Sequence, residues 1–171
     1  MSEKLTYEKY SAKAAELMKN SIFLTTKAKD KVNTMTIGWG TIGIIWGKPV
    51  FMVMVRKSRF TKTLIDQSKE FTVSFPAPLN DQIKIALNFC GTKSGRDMDK
   101  ISAASLSTKN AQEIDTPIID IPGLHLECVV ALEENMSGGT LSKEFNDAYY
   151  PDKSDYHTLY FGKIVAAYET K

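Results

Sequence analysis

Val50–Ser68 reads V-F-M-V-M-V-R-K-S-R-F-T-K-T-L-I-D-Q-S, and its character changes at Arg56. The apolar run Val50–Val55 reads as a buried strand, and the amphipathic stretch Phe60–Ser68 reads as a helix. Arg56, Ser58, Arg59, Thr61 and Lys62 therefore crowd a strand-to-helix turn. Free backbone N–H groups and the positive end of the helix dipole point to the same place. Such a junction favours an anion, and hydroxyls beside guanidinium groups suit phosphate oxygens. A solvated basic turn with Ser58 as N-cap accounts for the same residues.

Working outward, strands outnumber helices. Upstream, Tyr7–Met18 carries Tyr10, Ala14, Leu17 and Met18 at helical spacing, and Ile22–Thr26 reads as a strand. Asn33–Trp46 is rich in Thr, Ile and Trp, with glycines interspersed, which suits a curved strand or close approach of a ligand. Gly47-Lys48-Pro49 then makes a hairpin turn into Val50–Val55. Downstream, Glu70–Phe75 alternates as a strand and stops at Pro76-Ala77-Pro78. Asn80–Phe89 places Ile83, Ala86, Leu87 and then Cys90 on one helical stripe, with Gly91 at the expected C-cap. Gly91–Lys100 is polar and turn-like, and a short helical piece follows near Asp99–Leu106. Strands are expected at Gly123–Glu133 and His157–Tyr168, joined by a long irregular connection from Asn135 to Asp155. Helices inserted among strands, without strict alternation, predict a mainly β protein: an antiparallel β-barrel with peripheral helices.

The 171 residues suit one domain, 1–171, with a core that needs no metal or disulfide staple. Charged residues make up 25% and the formal net charge is +2, so no broad basic face for nucleic acid is implied. Cys90 and Cys128 are too few for a disulfide framework. The opening M-S-E-K-L-T-Y-E-K-Y lacks the apolar core of a signal peptide, and no apolar run approaches a membrane span. The expectation is a soluble cytoplasmic protein with no membrane partner. In that compartment the sequon Asn135-Met136-Ser137 carries no glycan.

Three motifs fail on inspection. Gly38-Trp39-Gly40-Thr41-Ile42-Gly43 matches G-x-G-x-x-G by letter, but Ile44-Ile45-Trp46-Gly47-Lys48-Pro49 cannot supply the helix that fingerprint requires. His125 and Cys128, three apart on a strand, point to opposite faces, and Cys90 with His157 gives no ligand spacing, so no metal site is expected. No G-x-S-x-G elbow is present.

Two further segments point toward a cofactor. In Asn33-Thr34-Met35-Thr36-Ile37-Gly38-Trp39, period-two alternation puts Asn33, Met35, Ile37 and Trp39 on one face. An amide and a large aromatic beside apolar groups can hold a flat heteroaromatic ring, although a core strand with a capping Asn carries the same residues. In Cys90-Gly91-Thr92-Lys93-Ser94-Gly95-Arg96-Asp97-Met98-Asp99-Lys100, N–H groups and charges in a loop can meet a phosphate. It is not a Walker A loop.

N-T-M-T-I-G-W-G, V-R-K-S-R-F-T and C-G-T-K-S-G-R-D-M-D-K, in this order and spacing, resemble flavin reductase-like proteins, the flavoredoxin branch in particular. H-T-L-Y-F-G-K-I-V-A-A-Y at His157–Tyr168 is similar to that family's closing strand, though Lys163 stands where an acidic residue is common. The resemblance runs from about Ser21 to Tyr168. It implies an FMN-binding split β-barrel, usually a homodimer with flavin near the subunit interface. It further implies that Arg56, Ser58, Arg59 and Thr61 hold the FMN phosphate, with Ser94 and Lys100 approaching from the second loop. Asn33, Thr34, Met35 and Thr36 would lie along the isoalloxazine ring, with Trp39 nearby. His157 is the candidate for a role toward the substrate, and a solvent-exposed position at a strand start is its alternative. Two functions follow from the resemblance. One is an oxidoreductase passing electrons from NAD(P)H through FMN to an acceptor. The other is a flavoredoxin-like carrier that exchanges electrons with a redox protein partner.

Overall fold

The computed structural model describes residues 5–171; residues 1–4, part of the opening segment read above, lie outside the described residues. Helix α1 (Tyr7–Leu17) leads into strands β1 (Ile22–Ala28), β2 (Lys31–Ile37), β3 (Gly40–Ile45) and β4 (Lys48–Arg56). After α2 (Phe60–Ser68) come β5 (Glu70–Pro76), α3 (Asp81–Thr92) and α4 (Lys100–Ala103). A small ribbon, β6 (Thr108–Lys109) with β7 (Ile118–Ile119), precedes β8 (Gly123–Asn135), α5 (Lys143–Tyr149) and β9 (His157–Thr170). The seven long strands form one antiparallel sheet in the order β2-β1-β5-β8-β9-β4-β3. Register shifts between Glu127 and Cys128 and between Val130 and Leu132 interrupt the β8–β9 ladder. Shifts of this kind increase local twist and let a long pair of strands bend.

The main core lies on one face of this curved sheet. Phe51, Val53 and Val55 of β4 meet Phe71, Val73 and Phe75 of β5, with Leu124 and Leu126 of β8 and Tyr160 of β9. Tyr10 and Ala14 of α1 belong to the same core, so this helix packs onto the sheet through one face. A second cluster, Phe23, Ala86, Leu87, Cys90, Ile119 and Ile121, seats α3 and the small ribbon on the opposite face of β1. Burying these side chains stabilises by roughly 1.5–3 kcal/mol each before entropy is counted.

Several boundaries differ from the sequence expectation for identifiable reasons. The β3–β4 turn is Trp46-Gly47, with φ of 53° and 67°, and Lys48 and Pro49 already pair with β3. Two positive φ values match the strand twist of a two-residue hairpin, and Pro49 is tolerated beside the sheet's last strand. Gly91 does not cap α3 but lies inside it, packed against Thr36 of β2, and the chain leaves the helix at Lys93. The connection from Asn135 to Asp155 is not wholly irregular: it holds a 3-10 turn at Gly138–Thr140 and helix α5, capped by the Ser142 side chain. The β6–β7 ribbon has only two residues per strand, too few for a periodic signal.

Candidate functional site

Strand β4 ends at Arg56, and α2 begins at Phe60 with Arg59 as its N-cap. Ser58 is therefore not the cap. Its N–H and hydroxyl instead donate to the Asp155 carboxylate, at 2.8 and 2.7 Å. Arg56 donates to the Asp155 and Tyr149 carbonyls, each at 3.1 Å, and packs over the Tyr150 ring. These contacts fasten the loop after α5 onto the strand-to-helix turn. Lys62 leaves the turn altogether: its ammonium meets Asp66 at 2.8 Å and the Tyr160 hydroxyl at 3.2 Å. It follows Thr61 directly, so it stands about a quarter-turn further round α2 than that cleft residue, and its stem points along another side of the helix.

The segment after α3 closes over this turn. A cleft of about 270 Å³ is bounded by Asn33, Met35, Arg56, Ser58, Arg59, Thr61, Ser94 and Lys100. Gly95 makes the approach possible, because a Cβ there would fall 2.0 Å from the Asn33 amide oxygen. The Asn33 amide donates to the Thr61 hydroxyl at 2.8 Å, which leaves the Thr61 O–H free to donate elsewhere. Ser94 accepts the Arg96 N–H at 3.2 Å and keeps its own hydroxyl proton to offer. Arg59 donates one guanidinium N–H to the Gly91 carbonyl at 3.0 Å and borders the cleft with the rest.

Lys100 is the most telling member. It is only 4% exposed and donates to the Cys90 carbonyl at 2.9 Å, and among the described residues it makes no ion pair. Burial, reinforced by the Arg59 charge, pulls its ammonium down to about 8. A buried cation facing a carbonyl and a cleft is incompletely compensated, and an anion in the cleft would complete it. Arg59 and Lys100, with the Thr61 and Ser94 hydroxyls and the close approach at Gly95, fit a phosphate monoester, although the Asp155 carboxylate also lines the cleft.

A second, smaller cavity of about 100 Å³ continues from the first, sharing Met35, Arg56 and Arg59 and adding Thr36, Ile37, Gly38, Trp39, Met54 and His157. It opens where β2, the sheet's terminal strand, runs out. That is why Met35 and Thr36, on opposite faces, both reach it. Trp39 lies beyond the end of β2 and is 46% exposed, so strand alternation does not govern it. Thr34 borders neither cavity; it is buried against β1, accepting from Thr25 at 3.0 Å and donating to the Leu24 carbonyl at 3.3 Å.

His157 is buried, not exposed, and hydrogen-bonds through Nδ1 to the Tyr150 hydroxyl. Burial and the Arg56 charge pull its pKa down to about 4. Burial pushes the Tyr150 phenol up, so the phenol keeps its proton. The neutral imidazole is protonated on one nitrogen only, and the Tyr150 phenol, which also reaches Met136 Sδ at 3.9 Å, can donate to Nδ1 or accept from it. Among the described residues, no group of three or more His, Cys, Asp or Glu is placed to hold a metal ion.

Sequence reasoning did not single out Asp155, Arg96, Phe60 or Met54. Arg96 donates to the Ser58 carbonyl at 2.9 Å and lies over the Phe60 ring, joining the two halves of the cleft. Its position two residues after Ser94 was the available signal. Asp155, 97 residues from Ser58 in sequence, offered none.

The Flavin reductase like domain family matches residues 17–171. An uncharacterised protein of Archaeoglobus fulgidus is 29% identical over 121 residues, covering 70% of this chain but 65% of its own length, less than two thirds. A flavoredoxin of Methanosarcina acetivorans superposes with a TM-score of 0.66 at 26% identity, over 88% of this chain and 68% of that one. An FMN-binding domain of a flavin reductase-like enzyme from Shewanella baltica superposes with a TM-score of 0.69 at 17% identity, over 99% and 77% of the two chains, which shows the shared fold. No helix among the described residues is long and apolar enough to cross a membrane.

Proposed function

The chain belongs to the flavin reductase-like domain family, and on that premise we propose that it binds FMN and works as an oxidoreductase, passing electrons from NAD(P)H through the flavin to an acceptor. The observation that carries this reading is the incompletely compensated cation Lys100 at the wall of a cleft that runs on into a second cavity beside Trp39 and His157. In this reading Arg59, Thr61, Ser94 and Lys100 hold the terminal phosphate, and Arg56 fixes the loop carrying Asp155. Ser58 joins the phosphate site where Asp155 releases it. Met35, Thr36 and Trp39 flank the ring, Asn33 orients Thr61, and Thr34 supports β2 from behind. His157 presents a neutral imidazole to the ring cavity.

Bound flavin supplies the two-electron redox chemistry, and the protein supplies orientation and electrostatics. The cleft offers one compact anion site and no pyrophosphate fingerprint, which favours FMN over FAD. We further propose a cytoplasmic homodimer. Ile44 and Trp46 expose apolar surface on the terminal hairpin, where a second subunit would remove it from water.

The test is the absorbance spectrum of purified protein and the identity of the flavin released on denaturation, followed by anaerobic mixing with NADH and NADPH. A colourless protein that takes up no added FMN would overturn the reading. Likeness to a flavoredoxin at 26% identity favours a second reading, a carrier that trades electrons with a redox protein partner. Flavin bleached only by a reduced protein donor, and by neither nicotinamide, would select it.

A further inference from the structure

Beyond the ring cavity lies an open-sided chamber that the flavin reading does not use, its aromatic walls Trp39, Phe145 and Tyr149 each about half exposed. It has a volume of about 260 Å³ and is walled by Trp39 and Met54 on the sheet side. The excursion between β8 and β9 supplies the rest: Met136, Leu141, and Phe145 and Tyr149 of α5. The aromatic walls are mutually set: Trp39 meets Tyr149 edge-on at 5.1 Å, and Phe145 stacks on Tyr149 at 6.1 Å with planes 13° apart. Among the described residues, no charged side chain borders the chamber. Its polar edge is the Tyr150 phenol, whose hydroxyl is engaged with His157. Trp39 and Met54 are shared with the ring cavity, so an occupant lies against two side chains that also line that cavity.

We propose that this chamber binds the electron acceptor, an uncharged planar conjugated carbonyl compound of quinone type. The inference rests on the flavin reading for the role of the ligand, while the binding itself follows from the chamber. Flat aromatic walls with polarizable Met sulfur take a planar apolar body. The absence of any cation in the lining disfavours a dinucleotide, whose pyrophosphate would be desolvated without a partner. A carbonyl at the end nearest the ring cavity would approach His157, whose ring Tyr150 holds through Nδ1. Room also favours a single small ring system, since drug-sized pockets are generally larger, roughly 300–1,000 Å³.

The probe is 1,4-naphthoquinone, titrated calorimetrically into FMN-loaded protein. A parallel titration into flavin-free Trp46→Phe protein uses Trp39 as the remaining fluorescent reporter. Leu141→Trp fills the chamber and should weaken the quinone by tenfold or more, about 1.4 kcal/mol or above, with FMN affinity unchanged. Phe145→Ala, at an exposed wall position, should weaken it without threatening the core. No quinone binding to either wild-type form, or binding untouched by both variants, overturns the proposal. So does slower reduction by NADH in Leu141→Trp with quinone affinity intact, which would assign the chamber to nicotinamide. Quinone affinity that falls as protein concentration rises would give the chamber to a second copy of the chain. Failure of wild type to take up FMN, with quinone still quenching Trp39, would separate the loss of the flavin reading from the fate of the chamber.

Discussion

The Asp155 carboxylate occupies the Ser58 donors at the start of α2, accepting both the backbone N–H and the hydroxyl. An anion already sits where the strand-to-helix turn would otherwise offer these groups to a phosphate. Two anions cannot share the same donors, and a carboxylate beside a phosphate also repels it. Asp155→Asn should therefore tighten FMN by a few-fold, on the order of 0.5–1.5 kcal/mol, with riboflavin little affected. Fluorescence titration of both ligands checks this; weaker FMN binding would show that Asp155 instead holds Ser58 in place for the ligand.

Lys100 makes flavin affinity depend on pH. Its ammonium titrates at about 8 in the flavin-free protein, and a phosphate beside it would raise that value. Below about 8 the cation is already charged; as pH rises through 8, the free protein loses it and FMN affinity should fall, with proton uptake on binding. The flavin-free fold responds in the opposite direction. Its Lys100 pKa lies below that of the unfolded chain, so this group's contribution to stability rises between about pH 8 and the ordinary lysine value near 10.4. Lys100→Met should remove the pH dependence of binding above 7, measured by titration in two buffers of different ionisation enthalpy.

Arg59→Ala should cost FMN far more than riboflavin, which lacks the phosphate. Loss of one charge-assisted contact is worth about 1.5–3 kcal/mol, or roughly ten- to a hundredfold in affinity. Because Arg59 also donates to the Gly91 carbonyl, thermal stability must be followed alongside. Equal losses for both ligands would make the residue a fastener between α2 and α3.

His157→Ala should slow flavin reduction by NAD(P)H modestly, through lost positioning, and leave FMN affinity nearly unchanged. With its pKa drawn down to about 4, His157 stays neutral across the physiological range, so the wild-type rate should show no histidine step between about pH 5.5 and 8. Tyr150→Phe frees Nδ1 and should reproduce part of the effect. Stopped-flow rates under anaerobic conditions decide it: an unaltered rate in His157→Ala removes the residue from the substrate side.

Light scattering should return a homodimer. An obligate interface would bury more than ~1,200 Å² in total, and Trp46→Glu on the exposed hairpin should weaken it. A monomer that still binds FMN tightly would contradict the arrangement.

What the chain spelled out by itself was local. Hydrophobic period placed α2 at Phe60–Ser68 without error and most long strands to within a few residues, because side-chain alternation is a property of adjacent residues. It ran β2 and β3 together as one curved strand, Asn33–Trp46; the chain breaks at Gly38-Trp39, and the two halves lie at opposite edges of the sheet. The clustering of basic and hydroxyl residues at the β4–α2 turn was legible for the same reason of adjacency. Tertiary structure decided which of them face the cleft. It turned Lys62 toward Asp66 and Tyr160, buried Thr34 behind β2, and carried Gly91 inside a helix whose sequence suggested an end. It also brought Asp155 to Ser58, Gly95 onto Asn33 and Tyr150 to His157. Of these only Tyr150 and His157 are near neighbours in the chain, and even that contact depends on how β9 pairs with β4. Burial shifted the Lys100 and His157 pKa values for the same reason: desolvation belongs to the packed assembly of elements, and no single segment carries it.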